Sequence, residues 1–157
     1  MAVKPTPEGY HTLTPYLIVK GAARALDFYA KALGAKELFR MAEPSGRVGH
    51  AEMSIGDSRF MLADEFPDAG AVAPVEGQGH CVSFLLYVPD VDAAFARAVA
   101  AGAKAVRPVQ DQFYGDRSGT LRDPFGHQWT LATHVEDVSP EEMRRRLEAK
   151  RALPGGA

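Results

Sequence analysis

The sequence predicts an α+β fold made of two tandem βαβββ modules, followed by a short C-terminal helix. Three observations support this prediction. One segment of the chain recurs in its second half, each copy of that segment is followed by a change from helical to strand periodicity, and each half ends in a hairpin pattern.

The repeat relates residues 14–38 to residues 83–106, which read TPYLIVKGAARALDFYAKALGAKEL and SFLLYVPDVDAAFARAVAAGAKAV. The two segments share their apolar pattern and a Gly-Ala-Lys that follows the helix. Each copy is typical of a short strand, a turn and an amphipathic helix. A repeat of this kind marks one structural unit used twice, so the 157 residues are predicted to form a single domain with two similar halves.

Module one is predicted to span about residues 10–64. The apolar positions of its helix are Ala22, Leu26, Tyr29 and Leu33. Gly34 follows them and is predicted to end the helix. The pattern then alternates with period two over residues 37–42, and the hairpin HAEMSIGDSRFMLA contains the two-residue turn signal Gly56-Asp57.

Module two is predicted to span about residues 81–135, after an exposed connector over residues 65–80 that is rich in Gly, Pro and Ala. Asp90 is the predicted N-cap of its helix, and Gly102 is predicted to end that helix. The predicted buried face consists of Val91, Phe95 and Val99. A strand over residues 104–109, a loop over residues 113–117 and a hairpin turning at residues 124–126 complete the module.

The C-terminal helix is predicted at about residues 139–151. Ser139 suits the N-cap, Pro140 the first helical position, and Glu142 the third position of a capping box. Basic residues gather at the end of this helix, where the helix dipole favours them, so a solvated face is predicted there.

Bulk composition limits the classes of function. The chain is 46% hydrophobic and 24% charged with a formal net charge of -2, which is typical of a soluble globular protein and disfavours nucleic acid as a partner. No apolar run suggests a signal peptide or a membrane helix, so a cytoplasmic location is predicted, with no membrane partner. The single cysteine, Cys81, lies in the apolar run of residues 81–88 and is predicted to be a buried, inert thiol.

The module order, the motif DFYAKALGA at the first helix and the motif RDPFGHQWTL in the last hairpin resemble the glyoxalase/bleomycin-resistance/extradiol-dioxygenase superfamily, also called vicinal oxygen chelate proteins. The resemblance covers residues 10–134 and is strongest to the bleomycin-resistance-like branch. It implies that each module curls into half of an open barrel around a small-molecule cavity. It also implies a homodimer, in which the two modules around one cavity can come from different chains.

Metal-dependent members of that superfamily carry ligands on the first and fourth strands of each module. The matching positions here are Thr14, Met61, Ser83 and Thr130. Hydroxyl and thioether groups are poor ligands for a zinc, nickel or iron ion, so no metal and no cofactor are predicted.

The histidines leave one alternative open. His50 and Glu52 share a strand face and, with His134, form the candidates for a displaced metal site. His134 is also the histidine most suited to face the cavity. His127 is accounted for by its turn, and His11 and His80 are predicted to lie on the surface.

Strand alternation assigns the two faces of the sheets once Thr14, Met61, Ser83 and Thr130 are placed inward. The predicted helix-facing set is Leu17, Val19, Phe60, Leu62, Phe84, Leu86, Val88, Trp129 and Leu131. The inward set adds Ile18, Leu85, Gln128 and Ala132 to the predicted ligand-binding residues, which are Tyr16, Arg59, Met61, Ser83, Tyr87, Tyr114, Thr130 and His134. Asp116 and Arg117, in the same loop as Tyr114, are predicted to pair with other groups and hold the loop, and the alternative is that Arg117 pairs with an anionic group of the ligand.

Three functions remain compatible with these residues. The first is a metal-independent protein that sequesters a compact aromatic or cationic compound. The second is an enzyme with a displaced metal at His50, Glu52 or His134, and the third is a metal-free enzyme that uses Glu52 or His134 in acid–base catalysis. No catalytic residue is assigned, and the absent ligands favour the first function.

Overall fold

The computed structural model describes residues 3–152. Module one contains β1 (Tyr16–Val19), α1 (Ala22–Leu33), β2 (Lys36–Ala42), β3 (Val48–Ile55) and β4 (Ser58–Asp64). Module two contains β5 (Phe84–Tyr87), α2 (Val91–Ala100), β6 (Lys104–Asp111), β7 (Asp116–Arg122) and β8 (Gln128–His134), and α3 (Pro140–Arg151) follows it.

Each module forms one four-stranded mixed sheet. The strand orders are β1-β4-β3-β2 and β5-β8-β7-β6, with the first pair parallel and the other pairs antiparallel. The predicted α+β fold of two βαβββ modules with a C-terminal helix is therefore confirmed. Neither four-stranded sheet closes on itself into a barrel.

Helix α1 forms as its periodicity predicts. Ala22, Leu26, Tyr29 and Leu33 are all buried. Gly34 follows the helix in the left-handed conformation at φ 70°, and its N–H donates to the carbonyl of Tyr29. The local pattern and the packing therefore agree for this helix.

Helix α2 begins as predicted, because the side chain of Asp90 accepts a hydrogen bond from the Ala93 N–H. Its predicted buried face is wrong in part. Val99 is 41% exposed, whereas Ala98 is fully buried. The row that packs on the core follows Val91, Ala94 and Ala98, of which Ala94 is partly buried, and α2 packs against α1.

The hairpins turn where predicted, at Gly56-Asp57 and at residues 123–127. The predicted loop over residues 113–117 is too long, however. Asp116 pairs in register with His134, and its carbonyl accepts from the Gln112 N–H, so the β7–β8 ladder already includes Asp116 and Arg117. The connector contains a short 3-10 turn at Pro67–Ala69.

The prediction for Cys81 is wrong. The thiol is exposed, because β5 begins only at Phe84 and residues 81–83 lie outside the sheet. His11 and His80 are exposed as predicted.

The modules meet through α1, α2 and the β7–β8 turn. Tyr29 of α1 is fully buried, and its hydroxyl donates to Asp123 at 2.7 Å. Trp129 donates its indole N–H to the same carboxylate oxygen at 2.9 Å. Burial, and then the charge and hydrogen bond of Asp123, raise the pKa of Tyr29 well above its ordinary value, which keeps the phenol protonated as a donor.

The predicted helix-facing set of the sheets is confirmed, since its members are buried or packed against the core cluster. Opposite this set, each sheet presents its other face, here called the concave face of that module. In residues 3–152, none of the helices is both long and apolar enough to cross a bilayer.

Helix α3 starts with the predicted cap, in which Ser139 accepts from the Glu142 N–H at 3.2 Å. Its basic end is solvated as predicted, since Lys150 and Arg151 are exposed and none of the helix residues is buried. Arg146 donates to Glu136 and Glu142, and also to the Phe113 carbonyl at 3.4 Å, so this arginine docks the helix onto module two.

Candidate functional site

The concave face of module one has a row of side chains that crosses all four strands. Tyr16 on β1 pairs with Met61 on β4, Met61 with Glu52 on β3, and Glu52 with Phe39 on β2. Side chains paired in this way lie side by side on one face. The centre of the row therefore carries a carboxylate between a thioether and an aromatic ring.

A hydrogen-bond network ties down that carboxylate. Tyr10, from the segment before β1, donates its hydroxyl to Glu52, and His50 donates Nε2–H to Glu52 at 3.3 Å. The other nitrogen of His50 then accepts from the Tyr16 hydroxyl at 2.8 Å. Arg59 lies with its guanidinium 4.8 Å from the centre of the Tyr10 ring. The hydrogen bond from Tyr10, and then that from His50, lower the pKa of Glu52 despite some burial.

The concave face of module two differs at its centre. The equivalent row runs from Leu85 through Thr130 and Thr120 to Arg107. Thr120 and Thr130 share a hydrogen bond of 3.1 Å. The next row, from Tyr87 through Ala132 and Ser118, also has small side chains in the middle. The centre of this face is therefore lined by short hydroxyl and methyl groups, with larger side chains at its edges.

Charged groups lie at one end of that face. His134, the last residue of β8, contacts Asp116 through Nδ1 at 2.7 Å and Asp137 through Nε2 at 2.9 Å. The hydroxyl of Tyr87 donates to the second oxygen of Asp116 at 3.0 Å. The hydrogen bond to Asp116, and then that to Asp137, raise the pKa of His134, because both carboxylates stabilise the imidazolium.

Gly115 makes this arrangement possible. It has φ 98°, and a Cβ atom there would lie 2.1 Å from the Glu136 carbonyl oxygen. The Gly115 carbonyl accepts from the N–H groups of Val135 and Glu136. The residues after His134 are thus held against the start of β7, and this places Asp137 within hydrogen-bond distance of the His134 imidazole.

The charged end of the face borders a cavity of about 680 Å³. Its lining comes from β5, β7, β8 and the start of α3, and consists of Tyr87, Tyr114, Asp116, His134, Asp137, Val138, Ser139 and Met143. Two phenol rings, a thioether and two carboxylates in one cavity suit a flat or cationic molecule.

The predicted ligand-binding residues do not all lie together in one site. Tyr87, Tyr114 and His134 line this cavity, whereas Tyr16, Arg59 and Met61 belong to module one. Thr130 lies at the centre of the module-two face. Ser83 is exposed and precedes β5.

Sequence reasoning did not include Asp116, Asp137 and Met143 among the ligand-binding residues. Alternation along β7 from Thr120 through Ser118 places Asp116 on the concave face, and that signal was present in the sequence. No local pattern points to Asp137 or Met143. Arg117, in contrast, donates to Asp92 and Asp111, as its predicted role of holding the loop requires.

The positions that correspond to superfamily metal ligands do not fit a metal ion. These positions offer only hydroxyl and thioether groups, from Thr14, Met61, Ser83 and Thr130. The Thr130 hydroxyl is already hydrogen-bonded to that of Thr120. Over residues 3–152, no three His, Cys, Asp or Glu side chains converge to hold a metal ion. His50 and Glu52 do contact each other, in the network with Tyr10 and Tyr16.

Comparison with known proteins identifies one superfamily to which the chain is similar. A family model described as the glyoxalase/bleomycin resistance protein/dioxygenase superfamily matches residues 10–131. An uncharacterised protein of Mycobacterium tuberculosis strain H37Rv is 40% identical over 141 residues, which cover 88% of this chain and 83% of the relative.

Two solved structures share the fold at moderate identity. A gene product of Arabidopsis thaliana is 29% identical with a TM-score of 0.64, over 78% of this chain and 98% of that one. TioX from Micromonospora sp. ML1 is 29% identical with a TM-score of 0.62, over 80% of this chain and 99% of that one.

Proposed function

The chain belongs to the glyoxalase/bleomycin resistance protein/dioxygenase superfamily, and on that premise we propose that it is a metal-independent binding protein for a compact aromatic or cationic molecule. One observation carries the proposal: Tyr87, Tyr114 and the carboxylates of Asp116 and Asp137 surround one cavity of about 680 Å³. Aromatic faces attract flat and cationic groups, and the carboxylates complement positive charge.

A binding assay with two charge types tests the ligand class. Proflavine, a planar aromatic cation, is expected to bind and to raise the melting temperature more than the anion 2-naphthoate. Tyr87→Ala should weaken proflavine binding by roughly 5- to 150-fold, the usual range for a stacked aromatic contact of about 1–3 kcal/mol. Phe66→Ala, which truncates an exposed aromatic of the connector, is the matched control and should bind as the wild type does.

The same assay tests the remaining predicted contacts. His134→Ala should strengthen proflavine binding, because it frees the carboxylates of Asp116 and Asp137 from the imidazolium. Tyr16→Ala should weaken binding only if the concave face of module one reaches the same ligand. Folded Tyr87→Ala and His134→Ala variants that bind proflavine as tightly as the wild type would refute the assignment of this cavity.

Metal independence has its own measurement. The residues at the four ligand positions support it, since none supplies imidazole, carboxylate or thiolate. Elemental analysis of the purified protein is expected to find no stoichiometric transition metal, and glyoxalase I activity should be absent. About one zinc, nickel, iron or manganese ion per chain, lost together with activity on chelation, would contradict the proposal.

A second candidate is a metal-free enzyme that uses acid–base catalysis. The placement of His134 between two carboxylates favours it, because the hydrogen bonds to Asp116 and Asp137 raise the pKa of His134 and so favour the protonated imidazole that a general acid needs. The discriminating experiment incubates a bound compound with wild type and with His134→Asn, and analyses the recovered compound by mass spectrometry. A chemical change that only the wild type produces supports the enzyme, and unchanged compound supports sequestration.

We also propose that the protein is cytoplasmic and that it forms a homodimer. Large apolar side chains remain exposed on both concave faces, with Tyr16, Phe39 and Met41 on module one and Leu85 and Tyr87 on module two 48–59% exposed. Exposed apolar patches of this kind are typical of protein interfaces. Sedimentation should therefore show a dimer that Met41→Glu weakens, and a monomer at tens of micromolar wild-type chain would contradict the proposal.

A further inference from the structure

A second cleft lies where the two modules and the connector meet. It has a volume of about 450 Å³ and is bordered by the start of α1, residues 74–76 of the connector, the start of β6 and the β7–β8 turn. It lies at the Arg122 end of β7, and the cavity described above lies at the Asp116 end. Six residues of strand separate the two ends by roughly 20 Å, so the two sites are distinct.

Four basic side chains line this cleft, namely Lys20, Arg24, Lys104 and Arg122. Its two carboxylates belong to Glu76 and Asp123. Both oxygens of Asp123 are already occupied, by the N–H groups of Phe125 and His127 and by the side chains of Tyr29 and Trp129. The lining therefore has a surplus of two positive charges.

Most of this positive charge has no partner in the fold. Arg24, Lys104 and Arg122 take part in none of the ion pairs found among residues 3–152. The Nε–H of Arg122 is buried, and no hydrogen-bond acceptor lies within reach of it in the same part of the chain. A buried donor without an acceptor is unfavourable, and the positive charges left without partners favour an anion in the cleft.

The wall of the cleft is held in place by close packing. Gly126 has φ 94°, and a Cβ atom there would lie 2.7 Å from the Cβ of Pro74, so the connector rests directly on the turn. The guanidinium of Arg24 lies 5.8 Å from the centre of the buried Phe125 ring. These contacts position the connector and Arg24 before any ligand enters.

We propose that this cleft binds the phosphate group of a small molecule. Guanidinium groups bind phosphate oxygens through paired N–H donors, and Arg24 and Arg122 both line the cleft without an ion pair among residues 3–152. The surplus of two positive charges matches a phosphate dianion better than a single carboxylate. The site goes beyond the proposed aromatic or cationic ligand and shares no residue with the cavity that would bind it.

Inorganic phosphate is the probe, and the fluorescence of Trp129 is the readout. Trp129 is the single tryptophan of the sequence, and its indole N–H is bonded to Asp123 in the cleft wall. We expect phosphate to change this emission saturably, beyond the effect of sodium chloride at equal ionic strength. Arg122→Gln and Arg24→Gln should each weaken the response by on the order of tenfold, the effect of losing a charge-assisted contact.

Lys31→Gln is the control, because it removes one positive charge from α1 outside the cleft and should respond as the wild type does. Circular dichroism of each variant separates loss of binding from loss of folding, and Arg24→Gln remains informative if Arg122→Gln does not fold. A response that is absent in the wild type, equal in chloride, stronger with acetate, or unchanged in both arginine variants would overturn the proposal. Proflavine binding does not enter this test, so the two proposals fail separately.

Discussion

The two modules share one order of elements but distribute their charge differently. Glu52 occupies the centre of the module-one concave face, while Thr120 occupies the corresponding position in module two. The first face is filled by its own network of Tyr10, His50 and Glu52. The module-two face has small side chains at its centre, and its charged groups, His134 and Asp116, lie at one end. The same backbone thus supports one internally satisfied face and one with room for a ligand.

The fourth strands show the same divergence in how they support the helices. Asp64 at the end of β4 accepts from the N–H groups of Gly21, Ala22 and Val48. Thr133 occupies the corresponding position of β8, where its hydroxyl accepts from the Val91 N–H at 2.9 Å and donates to the Val88 carbonyl. A carboxylate with three donors therefore anchors α1, and a hydroxyl with one donor anchors α2.

The β3–β4 and β7–β8 turns differ most, and the largest effect is expected there. Asp123→Ala leaves the donors of Tyr29 and Trp129 buried without an acceptor, so the free energy of unfolding should fall by about 3–5 kcal/mol. Asp57→Ala, in the exposed turn of module one, should change it by less than about 0.5 kcal/mol. Urea denaturation measures both, and similar losses would show that the buried network is not what distinguishes the turns.

The helix anchors should give an intermediate difference. Burial opposes ionisation of Asp64, but the hydrogen bonds from Val48, Ala22 and Gly21 outweigh it and lower its pKa. Asp64→Ala should reduce the free energy of unfolding by about 2–3 kcal/mol, and Thr133→Val by about 1 kcal/mol. Thermal denaturation at pH 7 compares them. The reverse order would mean that the hydroxyl anchor carries more of the stability than its single donor suggests.

The smallest expected effect is an opposite pH dependence of the two faces. The lowered pKa of Glu52 stabilises the fold above about pH 4.5, and this contribution is lost as pH falls through the folded-state pKa. The raised pKa of His134 stabilises the fold below about pH 6.5, and this contribution is lost as pH rises through its folded-state pKa. Solvent screening keeps both contributions small.

Melting temperatures of wild type, Glu52→Gln and His134→Asn between roughly pH 3 and pH 9 measure this contrast. The difference between wild type and Glu52→Gln should shrink toward acid pH, and the difference between wild type and His134→Asn should shrink toward alkaline pH. Differences that are independent of pH would show that neither network acts through its ionised form.

Local periodicity was sufficient to predict helix α1 and the helix-facing side of both sheets. Leu26 and Tyr29 recur at helical spacing, and Phe60 and Leu62 alternate along β4, because backbone geometry alone sets those periods. The sequence repeat predicted in addition that the same order of elements occurs twice along the chain. Alternation also placed Tyr87 and His134 on one face, and it assigns Asp116 to the same face when it is extended to β7.

Tertiary packing decided the features that depend on register and on contacts between distant segments. Val99 is exposed because the core-facing side of α2 runs through Val91 and Ala98 instead, and Cys81 is exposed because β5 starts after it. Asp137 reaches His134 because Gly115 folds the following chain back onto β7. The cleft around Arg122 joins four segments of the chain. A sequence pattern reports which side of its own element a residue occupies, whereas the partner it meets is determined only when the elements pack.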